Sequence, residues 1–204
     1  MSPNAHPNSG PALAMIVLSD IPVGLRALDA LAKQAPVELF ATGTIQCGRY
    51  LIAFGGQVEA VGRSHDAALA AASGSVLDQV LLAHVDERIV PAWRTGKVQS
   101  LDKGDTLGVI QVSAPPTLMR AVDVALKGAL VELIELRIGD GLGGKAIATL
   151  IGETHDVQAA IALANEAIER GCAEGASTVV IPNIDAAVRS SLAEGTRFFK
   201  EWRG

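Results

Sequence analysis

Aromatic residues make up only 3% of the 204-residue chain, and positive charge is in deficit: 17 Lys and Arg stand against 22 Asp and Glu, a formal net charge of −5. A nucleic-acid surface needs a basic stripe and aromatic platforms for the bases, and neither is present. Long apolar runs are missing too. None approaches the ~18 residues of a membrane span, and "MSPNAHPNSGP" offers no basic segment that would turn the following "ALAMIVL" into a secretory signal. Neither nucleic acid nor membrane is expected as a partner, and the chain is expected to stay in the cytosol. Cysteine is scarce as well: Cys47 and Cys172 are far apart and form no C-x-x-C, so both are expected as reduced thiols. Converging acids, bases or nucleophiles are absent from the pattern. His6, His65, His84 and His155 sit in unrelated contexts without metal-ligand spacing, and "DERI" at 86–89 reads as a solvated face, so no enzyme is expected.

What the chain does have is apolar content, 49% hydrophobic against 19% charged, enough to bury a core. It also has an internal repeat. "LAMIVLSDIPVGLRALDALAKQAPVEL" from Leu13 lies without a gap over "LGVIQVSAPPTLMRAVDVALKGALVEL" from Leu107, an offset of 94. Arg26, Asp29, Lys33 and Glu38 fall on Arg120, Asp123, Lys127 and Glu132. "GTIQCGR" at Gly43 then matches "GDGLGGK" at Gly139 with offset 96, which places a gain of two residues between Leu133 and Gly139 and makes the two loops equal in length. "VLLAHVD" at Val80 matches "VVIPNID" at Val179 with offset 99. A period this long means two copies of one domain, not a solenoid.

Each copy reads as β-α-β-β-α-β. In the first, "LAMIVL" is a buried strand, and Asp20 and Pro22 open a helix with Leu25, Leu28 and Leu31 on one face, ending near Pro36. "VELFA" and "RYLIAF" are strands flanking the 43–48 loop. A second helix follows "GG" at 55–56, with Val58, Val61, Ala68 and Leu69 inward and Gly74 closing it, and "VLDQVLLA" is the last strand. The second copy repeats this order, with Thr154 expected to cap its second helix and Gly171 to end it. The fold class is therefore α+β, two tandem ferredoxin-like domains. Residues 1–11 are expected to be a disordered extension, 12–93 the first domain, 94–105 a charged, Gly-containing linker, and 106–204 the second domain.

"GDGLGGK" satisfies half of the G-x-x-x-x-G-K-[ST] phosphate loop. The loop's chemistry needs a hydroxyl for magnesium and a helix N-terminus for the phosphates. Ala146 follows Lys145 instead, and "AIATLIGE" reads as a strand.

Several stretches together resemble the tandem, trimer-forming shell proteins of bacterial microcompartments, over roughly residues 12–202. "ALDALAKQAPVEL" and "AVDVALKGALVEL" are similar to that family's first helix with its late lysine. "FGGQVEAV" resembles its entry to the second helix, and "VVIPNID" its Ile-Pro strand end, in unpermuted order. The resemblance implies a homotrimer forming a pseudo-hexagonal tile in a shell within the bacterial cytoplasm. Its partners would be other shell proteins, with small polar metabolites crossing a central pore. The loops Gly43, Thr44, Ile45, Gln46, Cys47, Gly48 and Gly139, Asp140, Gly141, Leu142, Gly143, Gly144 would ring that pore, where glycines allow positive φ and close convergence. A plain hairpin turn shares this geometry and differs only in function.

The same resemblance places Lys33 and Lys127 at tile edges, against a reading as helix-terminal solubilising charges. His84 and Asn183 stand where the family carries an edge arginine. No catalytic residue and no resident cofactor are expected. Some tandem shell proteins hold an iron-sulfur cluster on the axis through one cysteine per chain. Aligned on the following Gly-Arg, Gln46 takes that cysteine's place and Cys47 that of a proline, so Cys47 is expected as an ordinary loop thiol, with ligation of such a cluster the alternative. Cys172, beyond Gly171, reads as a packing residue. The competing function is a soluble small-molecule-binding regulatory module, which duplicated ferredoxin-like domains also build.

Overall fold

A computed structural model describes residues 12–96, 98–139 and 141–197. The 1–11 extension and Asp140 lie outside them. The chain divides into two compact units after Glu87.

Unit 1 runs β1 (Ala12–Leu18), α1 (Ile21–Gln34), β2 (Glu38–Ile45), β3 (Arg49–Gly56), α2 (Val58–Ala72), β4 (Val76–Leu82), with sheet order β2-β3-β1-β4, all neighbours antiparallel. Asp20 caps α1 by accepting from the Val23 N–H at 2.9 Å, and Pro22 sits in the first turn, where no intrahelical donor is lost. Ala12, Ala14, Ile16 and Leu18 of β1, with Ile52 and Phe54 of β3, form the core under Ala27, Leu31, Val61 and Ala68 of the two helices. Two of the expected inward residues differ. Leu25 is exposed because α1 turns Gly24, Ala27 and Leu31 to the sheet, and a Cβ on Gly24 would meet the Tyr50 ring at 2.6 Å. Val58 is also exposed, since it starts α2 at the rim while Val61 and Ala68 carry the packing.

Unit 2 repeats the order as β5 (Thr106–Val112), α4 (Pro115–Gly128), β6 (Val131–Ile138), β7 (Ala146–Gly152), α5 (Thr154–Glu169), β8 (Ser177–Ile181), sheet order β6-β7-β5-β8. Registers repeat along with it. Ala12 pairs with Gly56 as Thr106 pairs with Gly152, and Leu13 with Leu82 as Leu107 with Ile181. A bulge interrupts β2 between Leu39 and Ala41 and β6 between Leu133 and Glu135, at the same place. Thr154 opens α5 without capping it. Its hydroxyl instead meets the Thr106 hydroxyl at 2.7 Å, tying the helix start to β5. Gly171 follows α5 as expected, its N–H donating to Ile168 O.

The segment between the repeats is packed. Residues Ile89–Thr95 form a helix, α3, which belongs with unit 2 and lies against β6. "DERI" is thus only half solvated: Ile89 is fully buried, and the Arg88 guanidinium donates to Val131 O at 2.8 Å and Leu126 O at 2.9 Å. Within 94–105, read above as linker, Gln99 N–H donates to Ile134 O, and Leu101 joins Leu107, Ile134, Ile151 and Ile184 in a core cluster. A further helix, α6 (Ala186–Ala193), is capped by Asp185. Its Arg189 donates to the carbonyls of Leu101 and Gly104.

Candidate functional site

The two glycine loops do not superpose as equals. Gly43 pairs with Leu51 inside β2, and the corresponding pair in unit 2 is Arg137 with Ile147, not Gly139 with any residue of β7. Gly43, Thr44 and Ile45 therefore belong to a strand, and only Gln46–Gly48, a single 3-10 turn, connects β2 to β3. The β6–β7 connection runs from Gly139 to Lys145. Its two extra residues lie in the loop itself, not between Leu133 and Gly139. The equal loop lengths read from the glycine pattern are corrected on this point, because strand register and not glycine spacing sets equivalence.

Both connections use left-handed backbone. In the longer one Gly139, Gly141, Gly143 and Gly144 all have positive φ, 68°, 78°, 62° and 85°. Leu142 O accepts from Lys145 N–H at 3.1 Å and closes the turn. In the shorter one Cys47 at φ 66° precedes Gly48 at φ 69°. A non-glycine residue there costs about 1 kcal/mol. The Cys47 side chain is exposed at the apex. A Cβ on Gly48 or Gly143 would meet nothing within 4 Å, so within the chain these glycines serve φ and not close approach. Since the strand β7 and not a helix follows the loop, the strand-loop-helix order that a nucleotide phosphate loop needs is not formed.

Lys33 and Lys127 sit in the last turns of α1 and α4, and each is held by the aspartate four residues earlier. Lys33 meets Asp29 at 2.6 Å and Lys127 meets Asp123 at 2.7 Å. The repeat aligned those aspartates, and their i, i+4 spacing was the signal that they orient the lysines. Asp29 is exposed, whereas the Asp123 side chain is almost wholly buried. His84 and Asn183 occupy one place in the two units, two residues beyond β4 and β8, and both are exposed. Asn183 has φ 50°.

The remaining titratable candidates do not converge. His65 is buried on α2, and burial lowers its pKa below the usual 6.5, opposed by the Asp66 charge and a Gln79 hydrogen bond. His155 is exposed beside Asp156. Cys172 is half-buried near the Ser113 hydroxyl, and its N–H donates to the Thr117 hydroxyl at 2.9 Å. Among the described residues no three His, Cys, Asp or Glu side chains are grouped to hold a metal, and no helix is long and apolar enough to cross a membrane.

The BMC domain model matches this chain twice, over residues 12–85 and 106–184. The chain belongs to the BMC domain family. Each match opens on the first residue of a unit's first strand, Ala12 or Thr106, and closes just beyond its last, so each β-α-β-β-α-β unit is one BMC domain in unpermuted order. The chain is similar to the bacterial microcompartment shell protein PduT of Citrobacter freundii, 29% identical over 185 residues, covering 90% of this chain and 98% of the relative. A crystal structure of a microcompartment protein from Desulfitobacterium hafniense DCB is 30% identical over 88% of this chain and 98% of its own, with a TM-score of 0.74. A fused, permuted hexameric shell protein of the RMM microcompartment shares the fold at 22% identity and TM-score 0.60, over 78% of this chain and 85% of its own.

Proposed function

We propose that this chain is a structural, non-catalytic shell protein of a bacterial microcompartment, located in the shell within the bacterial cytoplasm. Three copies, each supplying two BMC domains, make one pseudo-hexagonal tile. The observation that carries the reading is the full-length tandem match: two BMC domains on two structural units, in a chain that covers 98% of a shell-protein relative.

Both glycine connections ring the centre of the tile. Three short turns (Gln46, Cys47, Gly48) alternate with three longer loops (Gly139 to Gly144), and the strand ends at Gly43, Thr44 and Ile45 stand behind the short ones. Supporting this, their left-handed glycines keep the loops tight, and the space beside Gly48 and Gly143 leaves room for loops of other copies. Exposed loop amides offer donors to small polar metabolites in transit. Lys33 and Lys127, steadied by Asp29 and Asp123, together with His84 and Asn183, lie at the tile edges that meet other shell proteins. The tile carries no resident cofactor in this reading. Cys47 supplies one exposed thiol per chain, and three such thiols meeting on the axis would ligate three irons of a four-iron cluster and leave the fourth to an outside ligand. Visible absorbance of anaerobically purified protein separates the two cases.

Negative-stain microscopy of concentrated protein tests the tile. Sheets of hexagonally packed particles are expected. A discrete small oligomer without sheets, whose melting temperature rises with an added metabolite, would instead identify a regulatory binding module.

A further inference from the structure

Glu38 and Glu132 fall on one place in the two repeats, near the start of β2 and of β6, but their surroundings differ. β2 is exposed or half-exposed along its length, whereas α3 and the stretch before β5 pack against β6. Between that cover and the strand lies a cavity of about 320 Å³, wholly within unit 2. Pro91 and Ala92 of α3, Gln99 and Ser100 of the stretch before β5, and Leu133 of β6 wall it. The volume suits a small ligand, at the lower end of the roughly 300–1,000 Å³ range of such sites.

The charged side chains that line the cavity are Arg88, Lys103 and Glu132. Lys103 Nζ lies 2.9 Å from Glu132 Oε1 and Arg88 Nη1 lies 3.9 Å from Glu132 Oε2, so two cations share one carboxylate. Arg88 is fixed where it stands, because its guanidinium donates to Leu126 O in the last turn of α4 and to Val131 O at the start of β6. Those carbonyls are neutral and leave its charge uncancelled. Lys103, with 68% of its side chain exposed, keeps a flexible stem that can swing toward a ligand. The lining thus holds one positive charge in excess, on a chain whose formal net charge is −5.

We propose that this cavity binds a short-chain monocarboxylate. Its carboxylate group pairs with Arg88 and Lys103 beside Glu132, and its alkyl part lies against Pro91, Ala92 and Leu133. Charge selects the class: a monoanion brings the lining to neutrality, whereas a phosphate dianion overshoots it and meets Glu132 as a like charge. A neutral alcohol or amide leaves the cations without their second partner. Every wall of the site comes from one unit of one chain, so the inference needs no second copy and does not rest on the tile reading.

Ligand-observed saturation-transfer NMR on the full chain, at constant ionic strength, tests it with butyrate as the probe. For a ligand of so few atoms a dissociation constant of about a millimolar is expected. Butyramide, the neutral analogue of the same shape, is expected to bind at least about tenfold more weakly. Inorganic phosphate is expected not to displace butyrate. Lys103→Gln should weaken butyrate binding about three- to fivefold, and Glu132→Gln, which removes the competing carboxylate, should tighten it by a similar factor. A merely structural role for the two residues would not give opposite signs. Far-UV circular dichroism checks the fold, and where a glutamine variant is not folded Lys103→Ala or Glu132→Ala takes its place. Absence of saturable butyrate binding, equal binding of butyramide, displacement by phosphate, or variants that shift affinity in the same direction or not at all would overturn the inference. Hexagonal sheets formed alongside any of those results would leave the shell reading intact. Butyrate binding with this pattern, by a protein that forms no sheets, would uphold the site and fail the shell.

Discussion

β2 and β6 are one strand copied, and their sequences part where their surroundings part. Up to the shared bulge they match closely, with Glu38 and Leu39 against Glu132 and Leu133. Beyond it, Ala41, Thr42 and Gly43 face Glu135, Leu136 and Arg137. Those last side chains are buried in unit 2, where Glu135 accepts from the Thr196 hydroxyl at 2.8 Å and Arg137 donates to it at 2.6 Å. Duplication repeats the fold, but each copy then adapts to its own cover. A strand that its own chain covers gains interlocking polar groups, and the bare one keeps small and hydroxyl side chains.

The largest expected break in this comparison comes from truncating the matched leucines. Leu133→Ala removes a buried side chain and should cost about 2–5 kcal/mol in urea unfolding of dilute protein, the range for core leucines. Leu39→Ala, at an exposed position, should cost under about 1 kcal/mol in the same assay. Equal costs in dilute unfolding would mean that β2 is not open.

The paired lysines sharpen the contrast next. Lys127→Ala leaves the buried Asp123 carboxylate with one donor fewer and should cost about 1–2 kcal/mol. Lys33→Ala, whose pair lies in solvent, should cost about 0.5 kcal/mol or less. Thermal melts at two salt concentrations check both, since only the exposed pair should respond to screening.

The two connections offer a smaller pair of effects with opposite sign. Cys47→Gly relieves a left-handed non-glycine residue, offset in part by added freedom of the unfolded chain, and should stabilise by about 0.5 kcal/mol. Gly143→Ala introduces the same strain at φ 62° and should destabilise by about 1 kcal/mol. Melting temperatures moving in the same direction would contradict the loop geometry.

The smallest effect is the pH response of His65. The 96-residue offset of β3 onto β7 carries Val61 onto Val157 and Ala68 onto Ala164, all fully buried, and puts Ile161 in the place of His65. The folded-state pKa of His65 lies below its unfolded value near 6.5, so below that pH the unfolded chain binds the extra proton and stability falls. Above pH 6.5 this contribution is fully present. His65→Ile should flatten that acid-side loss, read as melting temperature between pH 7.5 and 5.5 against wild type.

Much of this architecture was legible in advance because duplication doubles every signal. The strand after "GDGLGGK", the Asp20 cap and both β-α-β-β-α-β orders followed from pattern alone. Leu25 misled because Gly24, invisible to hydrophobic counting, is one of the buried residues of α1 and leaves no room for a side chain beside the Tyr50 ring. The unequal turns escaped because glycines align easily and register is a property of pairing. Residues 94–105 read as linker since Val98 and Leu101 are too sparse to show a period, yet both pack onto the second sheet. Thr154 has a capping residue's chemistry and spends its hydroxyl on Thr106. Which loops meet around an axis is a property of several chains together, so Gly141 or Cys47 can be placed on a turn within one chain but not on a ring.

Sedimentation equilibrium at micromolar concentration tests the central claim most directly. The account predicts a single species of three times the 21.1 kDa chain mass. A monomer or a dimer would contradict it.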